Sequence, residues 1–223
     1  MGKLIVIEGI DCSGKETQSK MLVEHLKEMG IEIKTSQFPR YDTPTGKIIG
    51  GPYLGKEWFG DSYFEEASQV SPFVASLYYA ADRKYNVGDI EETLKTSNLI
   101  LDRYVDSNMA HQGGKFETKK ERENAYKFFE QLEYKLLKLP RPEIRIFLDV
   151  TPDVSRKIAE SRAEKLDALE RDFGYLEKSY TAYHEVAKRN KYKIIKCVDN
   201  GKMRSREDIH KDVYNYVIQQ LKK

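Results

Sequence analysis

The stretch LIVIEGIDCSGKETQ, residues 4–18, decides the fold. Gly9, four spacer residues, then Gly14 and Lys15 give the phosphate-cradling spacing G-x-x-x-x-G-K-S/T. Glu16 stands where Ser or Thr is expected, and Thr17 follows one place late. The β-branched run at residues 4–7 reads as a strand buried on both faces. After the loop, Met21, Leu22, Leu26 and Met29 recur at helical spacing, and Gly30 supplies the stop. A Gly-rich turn between strand and helix aims successive backbone N–H groups at an anion. Gly9, Ile10, Asp11, Cys12, Ser13, Gly14, Lys15, Glu16 and Thr17 are therefore the expected ATP-binding residues, with Lys15 at the β and γ phosphates. The plainer alternative is a Gly-rich turn carrying an exposed lysine.

Working outward, strands are expected over residues 31–38, 98–102, 144–150 and 192–198, and helices over 71–86, 121–139, 152–165, 175–189 and 206–221. Five strands alternating with helices predict an α/β fold: a three-layer α/β/α sandwich with a five-stranded parallel sheet, of the P-loop NTPase type. Ligands in such folds bind outside the carboxyl ends of the strands. Three polar clusters fall there, at residues 9–17, 38–40 and 102–104. No interdomain linker or repeat is visible, so residues 1–223 are expected to form one domain, and residues 50–60 read as a surface loop.

The chain has 38 basic and 36 acidic residues, a net charge of +2, which disfavours nucleic acid or a membrane surface as the main partner. The apolar run at residues 4–7 is too short for a signal-peptide core or a membrane span. Cys12 and Cys197 lack metal-ligand spacing and read as reduced thiols of a cytoplasmic protein.

Asp102 ends a predicted strand beside the loop, where an acid can hold Mg²⁺ through water, and the adjoining Arg103 can clamp a phosphate. A surface ion pair would give the same letters. Tyr79 and Arg83 are four apart on a predicted helix and can share a face, offering a ring for a base and a guanidinium for a phosphate or carbonyl. A core tyrosine with a solvated arginine is the alternative. Arg162, Lys165 and Arg171 can form a basic lid over ATP, placed at about residues 156–175, or merely a solvated helix face.

Together IEGIDCSGKETQ, FPRYDTPTGK, SLYYAADR, DRYVDSNMAHQGG and FLDVTPDVS resemble thymidylate kinases, in order and approximate spacing over about residues 3–198. The resemblance implies phosphorylation of dTMP to dTDP by ATP with Mg²⁺, in a homodimer. It implies that Asp11 bonds the deoxyribose 3′-hydroxyl, Phe38 packs near the base and Tyr79 stacks on thymine. Arg83 and Arg103 would bind the acceptor, and Asn108 would lie on the base edge. His111 takes the place of the usual Tyr or Phe against the sugar, with Gln112 as its neighbour.

The family draws a catalytic cation either from the loop or from the lid. The spacer Ile10-Asp11-Cys12-Ser13 is not basic, which points to the lid and to Arg162. Lys15, Arg103 and Arg162 are thus the candidate catalytic residues. In one branch an arginine falls three residues after the Phe of F-P; here Tyr41 is there and Arg40 comes one place early, as a candidate acceptor-phosphate ligand. Adenylate kinases, which resemble the family, carry Gly at the position of Glu16 and Thr next, so a hydroxyl there is not obligatory. Asp102 and Glu16 are the candidate metal residues. The competing readings are a kinase of another deoxynucleotide or deoxynucleoside, or an ATP-binding module without turnover.

Overall fold

The computed structural model describes residues 1–161 and 166–222. Strand β1 (Leu4–Glu8) is buried along its whole length and leads through the loop to α1 (Lys15–Glu28). The parallel sheet continues with β2 (Ile33–Gln37), β3 (Asn98–Asp102), β4 (Ile144–Asp149) and β5 (Lys193–Lys196), in the spatial order β2-β3-β1-β4-β5. Register is set by Ile5 opposite Ile100 on one side and Ile144 on the other. A central strand with helices on both faces must be apolar throughout, as LIVI is.

Helix α1 and the helices α7 (Pro152–Glu160) and α9 (Arg206–Leu221) cover one face, where Leu22, Leu26, Val154 and Val213 pack on Ile5 and Ile7. The other face carries α4 (Val87–Thr96), α5 (Val105–Gly113), α6 (Lys119–Glu130) and α8 (Phe173–Arg189), packed on Leu4, Val6, Leu99 and Leu101. The remaining longer helix is α3 (Pro72–Tyr85), preceded by the short α2 (Pro44–Ile48). Among the described residues, no helix is long and apolar enough to cross a membrane.

Three expectations are corrected. Residues 49–53 form a buried π-type turn, not a surface loop, with Tyr53 and Ile49 in an apolar cluster shared with Leu169 and Tyr175. The helix expected to run to residue 139 stops at Glu130, and a π-type turn over Gln131–Leu136 follows. The helix expected to reach residue 165 closes at Glu160; residues 162–165, including Arg162 and Lys165, lie outside the described residues.

Helices α4 and α5 were not foreseen. Tyr104 precedes α5 with no side-chain cap of its own. Instead the Glu8 carboxylate, at the far end of β1, accepts from the N–H groups of Tyr104 (2.8 Å) and Ser107 (3.1 Å). A cap supplied from 96 residues away has no local signature.

Candidate active site

Two backbone positions shape the loop. A Cβ on Gly9 would stand 2.4 Å from Ser13 Oγ and 3.1 Å from the Leu148 carbonyl, so only glycine fits under the turn. Gly14, at φ 83°, takes the left-handed conformation as the chain enters α1. Lys15 is buried inside the curl, its Nζ donating to the Ile10 carbonyl (2.8 Å) and, more weakly, Ser13 Oγ (3.4 Å). Burial and the neighbouring Arg103 push the ammonium below its ordinary pKa, against the pull of Asp102 and Asp11. Thr17 sits half-buried in the first turn of α1.

Arg103 is the node of the site. Its φ of 66° is unusual for a residue with a side chain and turns the chain sharply at the end of β3. The guanidinium then spans three elements: Nη1 donates to the Gly9 carbonyl (3.1 Å), Ser107 Oγ (3.2 Å) and Tyr183 Oη (2.9 Å), while Nη2 pairs with Asp11. Burial alone would raise the Asp11 carboxyl, but the charges of Arg103 and Lys15 outweigh it and hold it well below the usual range. Burial pushes His111 down to about 3, helped by Arg103, so its ring is neutral at physiological pH. Nε2 faces Arg103 Nη1 (3.3 Å) and must accept, which leaves the proton on Nδ1 to donate to Tyr175 Oη (3.1 Å).

Asp11, Phe38, Tyr79, Arg83, Arg103, Asn108, His111 and Gln112 line one cavity of about 110 Å³. The structure thus gathers eight of the nine expected acceptor residues. Arg40 is the exception: its guanidinium turns to Asp89 (2.8 Å) and Asp42 (3.3 Å) and lines a different cavity, while Tyr41 lines the first. On two residues that line this cavity three amide atoms are buried without a partner among the described residues: Asn108 Oδ1 and both Nε2 and Oε1 of Gln112. Native interiors rarely leave such atoms unpaired. An acceptor oxygen beside a donor–acceptor amide suits the edge of a pyrimidine.

Sequence reasoning missed Glu8, Ser107 and Tyr183 behind Arg103, and Lys56, Asp167 and Glu170 on the cavity wall. Glu8 stood inside the loop motif and was legible in principle. Lys56 and Asp167, ion-paired at 3.0 Å, come from segments without a motif.

A second cavity, of about 70 Å³, shares Asp11 and Glu170 with the first and is walled by Ser155, Arg156, Arg171 and Phe173. A third, of about 280 Å³, is polar and brings Glu16 and Asp102 together with Ser19 and Arg40. Burial pushes the Asp102 carboxyl up, opposed by Lys15 and Arg103. Its carboxylate has no hydrogen-bond partner among the described residues. Glu16 is exposed and paired with Lys20 at 2.5 Å. Two oxygen-donor side chains on a roomy polar cavity fit a hard cation that keeps most of its water. Glu16→Ser should keep activity and lower the Mg²⁺ concentration giving half-maximal rate, because it restores the hydroxyl expected at this loop position and removes an anion from the cavity rim. Asp102→Asn should raise that concentration. An inactive Glu16→Ser enzyme would make the carboxylate an obligatory ligand.

A lysine-bearing P-loop at the mouth of a parallel sheet, facing a separate pocket with an arginine and unpaired amides, defines a phosphotransferase acting on a nucleotide-sized acceptor. A family model described as "Thymidylate kinase" matches residues 7–209, and the chain belongs to the thymidylate kinase family. It is 30% identical to the human thymidylate kinase, over 95% of this chain and 88% of that protein. It is 28% identical to the thymidylate kinase of Plasmodium falciparum, over 97% and 90% respectively. The solved thymidylate kinase of Candida albicans has the same fold, with a TM-score of 0.71 at 23% identity, covering 99% of this chain and 92% of that one.

Proposed function

We propose that the enzyme transfers the terminal phosphoryl group of ATP to the 5′-phosphate of dTMP, giving dTDP and ADP. The observation that carries this reading is the acceptor cavity itself. Arg103 and Asp11 line it beside the loop, and Asn108 and Gln112, whose amides carry the unpaired atoms, line it as well. The loop N–H groups and Lys15 hold the donor phosphates, and Arg103 orients the acceptor phosphate toward them. That phosphate already carries a nucleophilic oxygen, so no strong general base is needed, and positioning in a water-poor site does most of the work. Mg²⁺, when bound near Asp102 and Glu16, neutralises charge on the phosphate oxygens. The test is ADP release against dTMP, dUMP, dCMP and thymidine, with and without Mg²⁺. Preference for dTMP is expected; ATP binding without turnover on any acceptor would support a non-catalytic module instead.

Residues 1–223 act as one kinase domain in this reading, with a lid near residues 156–175. The loop spacer carries no cation, so Arg162 is assigned to the transferring phosphoryl group. Arg162→Ala should lower kcat at least tenfold with little change in the dTMP KM. Unchanged kcat in Arg162→Ala would remove that assignment, and the same pattern from Arg171→Ala would move it there.

The enzyme is further proposed to be a homodimer. Phe73, Val74 and Leu77 on α3 are exposed, and Phe73 meets the exposed Phe128 of α6 edge-on at 4.9 Å. Such a contiguous apolar face suits a second copy of the chain. Leu77→Asp should halve the mass seen by sedimentation; an unchanged mass would place the interface elsewhere. Buried Cys197 and the absence of metal-spaced cysteines support a cytoplasmic setting.

A further inference from the structure

Glu133 touches no expected ligand and lies in the π-type turn behind α6, yet it is wholly buried. Its carboxylate grips Arg83 at two points, Nε to Oε2 at 2.5 Å and Nη2 to Oε1 at 2.6 Å. The same Oε1 accepts from Asn108 Nδ2 at 3.0 Å. The Ser76 carbonyl also accepts from Nδ2, at 3.3 Å. An asparagine amide has two ends, and in most settings it can flip. Here one end faces two groups that offer only lone pairs. That end must be the NH₂, so the oxygen must face away from them. Asn108 Oδ1 is the atom left buried without a partner, on a residue lining the acceptor cavity.

We propose that Glu133 is a positioning residue that sets base selectivity by fixing the polarity of the Asn108 amide. This rests on reading the cavity as the dTMP site. A fixed acceptor oxygen matches the N3–H of thymine or uracil. Cytosine presents a lone pair at N3, so the same oxygen repels it. Arg83, held by the same carboxylate, offers donors to a base carbonyl, and the cytosine amino group cannot accept them. One buried carboxylate thereby biases two readout groups in the same direction. Selectivity of this kind comes from leaving a polar group unpaired with the wrong base.

The test compares kcat/KM for dTMP and dCMP in the wild type, Glu133→Gln and Glu133→Asp. Glutamine offers an NH₂ that lets Asn108 flip, and the dTMP-to-dCMP ratio should fall at least tenfold, mainly through KM. Aspartate keeps the charge opposite Arg83, so it protects the fold, while withdrawing the carboxylate from Asn108; the ratio should fall in the same direction. A purely structural role would lower activity on both acceptors by one factor and leave the ratio alone, and that result in a folded variant overturns the proposal. In the wild type, NMR of the Asn108 side-chain amide should show its protons still hydrogen-bonded when dTMP binds. Their transfer to the nucleotide would overturn the proposal without any substitution. A wild type indifferent to dTMP and dCMP overturns the acceptor assignment beneath it. A selective wild type whose ratio survives both substitutions overturns this inference alone.

Discussion

Lys15→Ala is expected to leave a folded protein whose kcat is down by about 10²–10³-fold, the loss typical of removing one preorganised charge-stabilising donor. The lysine sits within the curl of the loop, its ammonium bonded among the described residues to the Ile10 carbonyl and weakly to Ser13. Its ammonium is held below its ordinary pKa by burial. A cation that burial disfavours contributes little to folding, so the substitution should barely move the melting temperature. The charge matters when negative charge builds between donor and acceptor. Melting by circular dichroism and single-turnover ADP formation separate the two. Near wild-type turnover in a folded Lys15→Ala protein would sink the assignment of the loop.

Arg103→Met should cost both activity and stability. Methionine keeps bulk but drops five hydrogen bonds at once, to Gly9, Asp11, Ser107, His111 and Tyr183. Leaving such partners unpaired costs about 1–3 kcal/mol each in a buried site, though Asp11 is one-third exposed and will recover part through water. kcat/KM for dTMP should fall by about 10²-fold or more, since the substitution removes the proposed clamp on the acceptor phosphate.

A pH signature goes with it. In the wild type the Asp11 carboxyl is depressed below its usual 3.8, so its ionised form stabilises the fold above that pH. That contribution is lost as pH falls through the folded pKa. Without Arg103 the largest of the charges that hold Asp11 down is gone, so Asp11 should titrate higher than in the wild type and the acid limb of activity should move to higher pH. An acid limb identical in both proteins would show that Asp11 and Arg103 are not coupled.

The sheet was readable because buried parallel strands are written as apolar runs, and β3 falls on residues 98–102 as the run at Asn98 to Asp102 foretold. The loop was readable because its spacing is a backbone requirement, visible in Gly9 and Gly14. Helix α5 was hidden because Glu8, distant in sequence, does its capping. The turn at residues 49–53 was hidden because Gly and Pro there look like loop letters, while its burial depends on Leu169 and Tyr175 arriving from far along the chain. Arg40 falls outside the acceptor cavity because Asp89, remote in sequence, and Asp42, within the motif, capture its guanidinium. Glu133 carried no sign at all, since a glutamate in a charged helical stretch is ordinarily a solvated one.

The seam on the roof of the acceptor cavity bears on traffic through the enzyme. The Ala168 N–H donates to the Leu54 carbonyl at 3.2 Å, and Lys56 pairs with Asp167 at 3.0 Å beside it. Leu54, Lys56 and Asp167 all line the acceptor cavity, and Glu170, close to Asp167 in sequence, lines the second cavity as well. A nucleotide entering past this wall would have to open both bonds, and its product would have to open them again on leaving. Turnover under saturation should be paced by departure of the diphosphate, and added salt, which loosens an ion pair at a doorway, should quicken it before it weakens anything else.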